Sequence, residues 1–354
     1  DRLRVSPRGA RSFAWSPAND QLAVVAAGWP QATQSTLREV THIDDLRGAI
    51  TDEIWLVPLD GEDSRQLPVG EITNVQHIVW SPSGTAIAFA ARRPGGSLPA
   101  QALSIFVLDL EDNTVAELVP AEGPIRALAW SPDGGHLAYL GHRQGGSHAA
   151  NLELHVVAAD GSAPPRSLSA GLDRSVGQVV RGDDERGAGP SNLSWDDAGI
   201  LAACAFGGSS ALLRFGLDGT YHEVIGGDRA ILDFATAPGT GEIVFSWSDG
   251  VTPGDLSVCA ADGSGEQQCA TVNTEWQSEV ELTPVEHVSA VAADGVVVEG
   301  WLTMPPSATG SPYPLVLQVH GGPHYPVGNR FSFDAQRLAA QGIALLRANP
   351  RGAQ

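Results

Sequence analysis

One tripeptide constrains this chain more than any other feature: Trp-Ser-Pro stands at Trp15-Ser16-Pro17, Trp80-Ser81-Pro82 and Trp130-Ser131-Pro132, with a weaker fourth copy at Trp195-Asp196-Asp197-Ala198-Gly199. A short apolar strand follows each copy: QLAVVAA, AIAFAA, HLAYLG and ILAACAF. Further along each unit an alternating strand closes on a turn, as in EIWLVPLDG, SIFVLDL, ELHVVAADG, ALLRFGLDG and DLSVCAADG. Most of these turns are Asp-Gly, a pair whose second residue tolerates the positive φ of a tight hairpin. A short strand such as SRQLPV or PRSLSA then brings the unit to about four strands. Self-similarity of this kind marks an architecture built from copies of one supersecondary unit.

The repeat reads as an all-β propeller with four-stranded blades, and five such units fit between residues 11 and 270. Successive Trp residues lie 50 to 65 positions apart, more than the ~40–45 of a compact blade, so loops have been inserted. The longest insertion separates QLAVVAA from EIWLVPL and contains Asp44 and Asp45, which read either as a sensor of a peptide amino terminus or as a solvated loop. RLRVSP at residues 2–7 resembles the last strand of a preceding unit, so the chain is expected to open in mid-blade. The repeated Trp is expected to fill the space between radially packed sheets. A scaffold of this sort does not name an activity.

From about Val285 the pattern changes. VEHVSAVAADGVVVEGWLTMP reads as a hairpin turning at Asp294-Gly295, and PYPLVLQVHGGP as a buried strand ending in a glycine turn. FSFDAQRLAAQG follows with helix-forming residues and Gly342 at the expected C-terminal cap; IALLRANPRG is a further apolar strand. Hairpin, strand, helix and strand make the opening of an α/β sheet.

The W-S-P units, then DGVVVEGWLTMP, then His320-Gly321-Gly322-Pro323 and Asn349-Pro350-Arg351-Gly352 together resemble the prolyl oligopeptidase family of serine peptidases, most of all its acylaminoacyl-peptidase-like branch. The resemblance implies a propeller, seven-bladed in the intact protein, followed by an α/β-hydrolase domain. On that basis residues 1–283 are the propeller, lacking its first strands, and 284–354 are the start of the catalytic domain. The family's Ser, Asp and His all follow the N-P-R-G loop, so they are expected beyond Gln354.

Acyl transfer needs a nucleophile, a base and donors aimed at the developing oxyanion. In α/β-hydrolases one donor comes from the glycine loop after the third strand. The resemblance puts the Gly322 N–H in that role, with Gly321 letting the backbone turn. His320 precedes the turn, where the family has a structural His. His324 and Tyr325 are candidates to line the substrate site, and Arg351 either anchors its loop or touches substrate. Gly-Gly-Ser triplets at Ser97, Ser147 and Ser209 lack the second half of a G-x-S-x-G elbow and read as turns.

Composition narrows the remaining classes. Twenty-one basic residues, all Arg, against 41 acidic ones leave a net charge of −20, which disfavours nucleic acid and anionic membrane surfaces. The absence of Lys removes the phosphate-gripping Walker A loop and Schiff-base chemistry. Ten His without metal-site spacing, and three Cys without C-x-x-C, predict no metal and no cofactor. Cys259 and Cys269 flank a hairpin turn and are either a bonded pair or two free thiols, the second fitting a cytoplasmic protein. The expected partners are a peptide or acyl-peptide substrate and the hydrolase segment carrying the triad, with homo-oligomerisation left open. The reading is a serine peptidase for short or acylated peptides; a non-catalytic binding propeller and an esterase are its rivals.

Overall fold

The computed structural model describes residues 10–28, 51–93, 99, 101–145, 147, 150–177, 179–183, 192–270, 272–306, 312–321 and 326–353. The chain divides into two compact units, one of residues 1–150 with 154–167 and one of 151–153 with 168–354.

The first unit holds three antiparallel four-stranded sheets. Its strands are β1 (Ala10–Trp15), β2 (Gln21–Ala27), β3 (Asp52–Pro58) and β4 (Arg65–Gln66); β5 (Thr73–Trp80), β6 (Ala86–Arg92), β7 (Ser104–Asp109) and β8 (Val115–Val119); β9 (Ile125–Trp130), β10 (His136–Gly141), β11 (Glu153–Ala158) and β12 (Arg166–Ser167). Each sheet runs in simple sequence order, the meander of a propeller blade. First strands of successive sheets are neighbours, β1 beside β5 and β5 beside β9.

The W-S-P motif explains how each blade starts. The hydroxyls of the buried Ser16, Ser81 and Ser131 accept the amides of Gln21, Ala86 and His136, five residues on, while the Ser amides donate to the carbonyls of those same residues. The fourth turn position takes positive φ: 57° at Asn19, 73° at Gly84 and 72° at Gly134, where Gly and Asn fit with little strain. The Trp ring reaches the preceding blade: Trp80 donates to the Ala14 carbonyl at 3.1 Å and Trp130 to the Val79 carbonyl at 3.4 Å, in each case the residue just before the earlier Trp. At Trp80 and Trp130 the indole therefore closes one sheet onto the preceding one, as the repeat predicts, whereas Trp15, in the first described sheet, is half exposed. The fourth copy departs from this turn: Asp196 pairs directly with Gly199, leaving a two-residue hairpin.

Apolar side chains fill the space between sheets. Val25 and Ile54 from the first, with Ile78, Phe89 and Phe106 from the second, form one cluster, and the two Phe rings stack at 5.5 Å between centroids. Burying each such side chain contributes about 1.5–3 kcal/mol. β5 is irregular, with Asn74 at φ 54° and His77 at φ 52° where its register to β6 shifts. Burial, reinforced by the nearby Arg126 charge, pushes the His77 pKa down to about 4.

The second unit contains β13 (Leu193–Asp196), β14 (Gly199–Phe206), β15 (Ser209–Phe215) and β16 (Tyr221–Ile225), then β17 (Ala230–Thr236), β18 (Ile243–Ser248), β19 (Asp255–Cys259) and β20 (Gln267–Ala270). These are two further four-stranded meanders, joined by a single parallel bridge between Ser210 and Ala230. The Asp-Gly turns behave as expected: Gly61, Gly161, Gly219, Gly263 and Gly295 all have φ between 71° and 93°. The β19–β20 register sets Cys269 beside Leu256 and Ser257 rather than Cys259, and all three cysteines are free.

A six-residue helix, α1 (Thr274–Glu279), leads to the last sheet, formed by β21 (Val285–Val291), β22 (Val297–Thr303), β23 (Leu315–Val319) and β24 (Ala344–Asn349) in the order β21-β22-β24-β23. Helix α2 (Phe333–Ala340) connects β23 to β24, which run parallel. Its C-terminal end follows the sequence signal, with Gly342 after the helix at φ 80°, and Ser332 caps the start by accepting the Ala335 amide. One expectation is corrected here. β23 is a strand but not a buried one, since Leu315, Val316, Leu317 and Val319 are 42–61% exposed. Among the described residues it pairs only with β24. No described helix is long and apolar enough to cross a membrane, and no group of three or more described His, Cys, Asp or Glu is placed to hold a metal ion.

Candidate functional site

β23 and β24 run in the same direction with Val319 opposite Ala348, so the turn starting at His320 and the loop starting at Asn349 leave the sheet side by side. In α/β sheets the carboxyl ends of parallel strands are where ligands bind. The crossover through α2 joins the two strands directly, which makes this arrangement local.

Of the residues singled out from sequence, Gly322, His324 and Tyr325 lie outside the described residues. So do Asp44, Asp45 and Ser97. Gly321 is exposed, and a Cβ added to it would have open space around it. The His320 ring lies against the Gly321 carbonyl through Nδ1, and its buried Nε2 has no hydrogen-bond partner. Arg351 forms an exposed ion pair with Asp294 in the β21–β22 hairpin turn. That contact is the anchoring one of its two open readings.

Downstream of the turn, residues 326–336 are fastened on several sides. The Asn349 amide accepts the Val327 N–H at 2.9 Å and donates to the Val327 carbonyl at 2.8 Å, mimicking a strand pair. Arg347, buried on β24, donates to the carbonyls of Gly328 and Arg330. Burial pulls its pKa down to about 10, partly offset by Asp183, which leaves it cationic at neutral pH. Asp183 accepts the Ser332 hydroxyl and the amides of Phe333 and Asp334, placing a carboxylate where the first-turn N–H groups of α2 point. Gln336 bonds both backbone groups of Thr283 and the carbonyl of Gly250.

The β14–β15 turn meets the same loop. Asn329 donates its backbone N–H to the Gly208 carbonyl at 2.7 Å and its side-chain Nδ2 to Ser209 Oγ at 2.9 Å, while its Oδ1 accepts the Trp301 indole N–H at 2.9 Å. The approach demands glycine on both sides. A Cβ on Gly208 would come within 1.8 Å of the Trp301 ring, and one on Gly328 within 1.9 Å of the Gly208 carbonyl oxygen. Asn329 also borders a groove of about 540 Å³ lined by Asp228, Asp249 and His287. Sequence reasoning passed over Asn329, Trp301, Arg347 and Asp183. The available signal was the Gly-Gly-Ser at 207–209, which marks a turn but not what it touches.

The chain thus belongs to a class defined by its sheets: propeller blades followed by the opening of an α/β-hydrolase fold. No family model matches it. It is 28% identical over 188 residues to the uncharacterized peptidase YuxL of Bacillus subtilis (strain 168), an alignment covering 52% of this chain and 28% of that protein. Among solved structures it matches the acylaminoacyl peptidase of Pyrococcus horikoshii with a TM-score of 0.72 and 17% identity, over 97% of this chain and 51% of the other. A puromycin-hydrolyzing peptidase of Mycobacterium tuberculosis matches with a TM-score of 0.65 and 18% identity, over 98% of this chain and 52% of that one. The chain spans about half the length of these structures, and its fold is that of the propeller-bearing prolyl oligopeptidase family.

Proposed function

We propose that this chain is the propeller and the first catalytic-domain strands of a serine peptidase that hydrolyses short or acylated peptides. Residues 1–283 form the size-restricting propeller and 284–354 open the hydrolase domain. The observation that carries this is the convergence of two loops, His320-Gly321 and Asn349-Pro350, at the carboxyl ends of adjacent parallel strands. There a serine from further chain attacks the scissile carbonyl, a histidine takes its proton, and the Gly322 N–H is one of two donors to the oxyanion. His324 and Tyr325 are the candidates to line the substrate site, while Arg351, paired with Asp294, anchors the neighbouring loop unless substrate displaces that partner. Loss of one such donor raises a barrier by ~2.7–4 kcal/mol. The three free thiols support a reducing, cytoplasmic setting.

The test uses the polypeptide carrying this sequence together with its nucleophile. A fluorophosphonate label should attach beyond residue 354, and an N-acylated peptide anilide should turn over faster, relative to the uncatalysed rate, than a simple ester. Label recovered within residues 1–354 would contradict the placement of the nucleophile, and turnover of esters alone would favour an esterase.

A further inference from the structure

We propose that Asn329 is a positioning residue: by tying the β14–β15 turn at Gly208-Ser209 to Trp301 of β22, it fixes the loop whose upstream glycines supply the oxyanion donor. This rests on the peptidase reading above and assigns the propeller a part in catalysis beyond admitting substrate.

The argument is geometric. Asn329 stands eight positions after Gly321, and all three of its hydrogen-bonding groups described above are engaged. Two of those bonds run to the propeller turn and one to the hydrolase sheet, so a single side chain spans both. A Cβ on Gly328 would strike the Gly208 backbone and one on Gly208 would strike the Trp301 ring, so loop, turn and indole meet too closely to slide without breaking bonds. Two residues upstream, Val327 is clamped by Asn349 at the mouth of β24. A displacement of the β14–β15 turn therefore passes through Asn329 toward Val327, which follows Gly321 by six positions in the chain. Misplacing a reacting group by about 1 Å costs roughly 10²-fold in rate, so a positioning bond of this kind is felt in turnover rather than in substrate affinity.

The test takes the same intact polypeptide with Asn329→Ala, Ser209→Ala and the pair combined. Active sites are counted by the burst from a p-nitrophenyl ester, and kcat per counted site and KM are measured with a peptide p-nitroanilide. Asn329→Ala should lower kcat per site by about 10–100-fold with KM within about threefold, and Ser209→Ala by about 3–10-fold. The double variant should match Asn329→Ala rather than multiply the two losses, because the pair acts through one bond. Should Asn329→Ala fail to fold, Ser209→Ala alone decides, since it removes the same link more gently. Variants that lose only countable sites or thermal stability, with kcat per site at the wild-type value, overturn the proposal. A wild type that shows neither burst nor turnover overturns the peptidase reading and the brace with it, whereas an active wild type matched per site by both variants overturns the brace alone.

Discussion

The three W-S-P blades and the junction around residues 326–349 are held together by different physics. Between the blades, Val25, Ile54, Ile78, Phe89 and Phe106 pack as an apolar layer, with one indole hydrogen bond per boundary. At the junction the buried or half-buried polar groups are Asn329, Arg330, Ser332, Gln336, Arg347 and Asn349, each engaged with backbone or side-chain partners and set among the buried Trp301, Val327 and Phe331. Apolar packing is non-directional and tolerates change of shape; hydrogen bonds in a dry setting specify one arrangement and penalise every other. The blades are a scaffold that is allowed to vary, and the junction is a fitted joint.

Four experiments press on this contrast. Trp80→Ala removes a nearly buried indole and its bond to Ala14, and should cost ~3–5 kcal/mol in urea unfolding of the blades. A smaller loss than at the junction would reverse the comparison. Gln336→Leu preserves bulk but strands both backbone groups of Thr283 and the Gly250 carbonyl; about 2–4 kcal/mol of destabilisation is expected, again by urea midpoint.

The third experiment concerns acid. With its folded pKa near 4 against an ordinary 6.5, His77 binds its proton more readily in the unfolded chain, so stability is intact above pH 6.5 and falls as pH drops toward 4. His77→Asn should spare the blades roughly 2–3 kcal/mol of acid destabilisation, after allowance for the ring's partial solvent contact, measured as the difference between variant and wild-type stability at pH 4 and pH 7.5. Equal pH profiles would show that His77 is not held neutral. Smallest is Arg351→Ala, which breaks an exposed ion pair and should shift stability by under about 1 kcal/mol. A larger effect on turnover than on stability would favour a substrate role for Arg351.

Much of the scaffold was legible because its signals are local. Trp-Ser-Pro sets a turn through a hydroxyl that reaches five residues ahead, and Asp-Gly sets another through one left-handed glycine; both are complete within a few positions. Helix α2 announced itself in the same way, through its run of helix-forming residues and Gly342, while the Ser332 cap went unread. The joint was not legible because its partners are far apart in the chain. Asp183 caps a helix about 150 positions away, and Asn329 meets Ser209 across 120. Nothing around Asn329 distinguishes it from a loop asparagine. The exposure of β23 was missed for a related reason: PLVL records an apolar strand but not which neighbours flank it.

The indole stitch between blades has a further consequence. Because Trp80 and Trp130 grip main-chain carbonyls, groups every residue possesses, the stitch itself makes no demand on the side chain it reaches, unlike the apolar layer beside it and the Asp52 carboxylate that accepts the Val75 N–H across the first boundary. A copied blade therefore keeps its indole stitch whatever residue it meets, while its apolar face still has to fit the one next door.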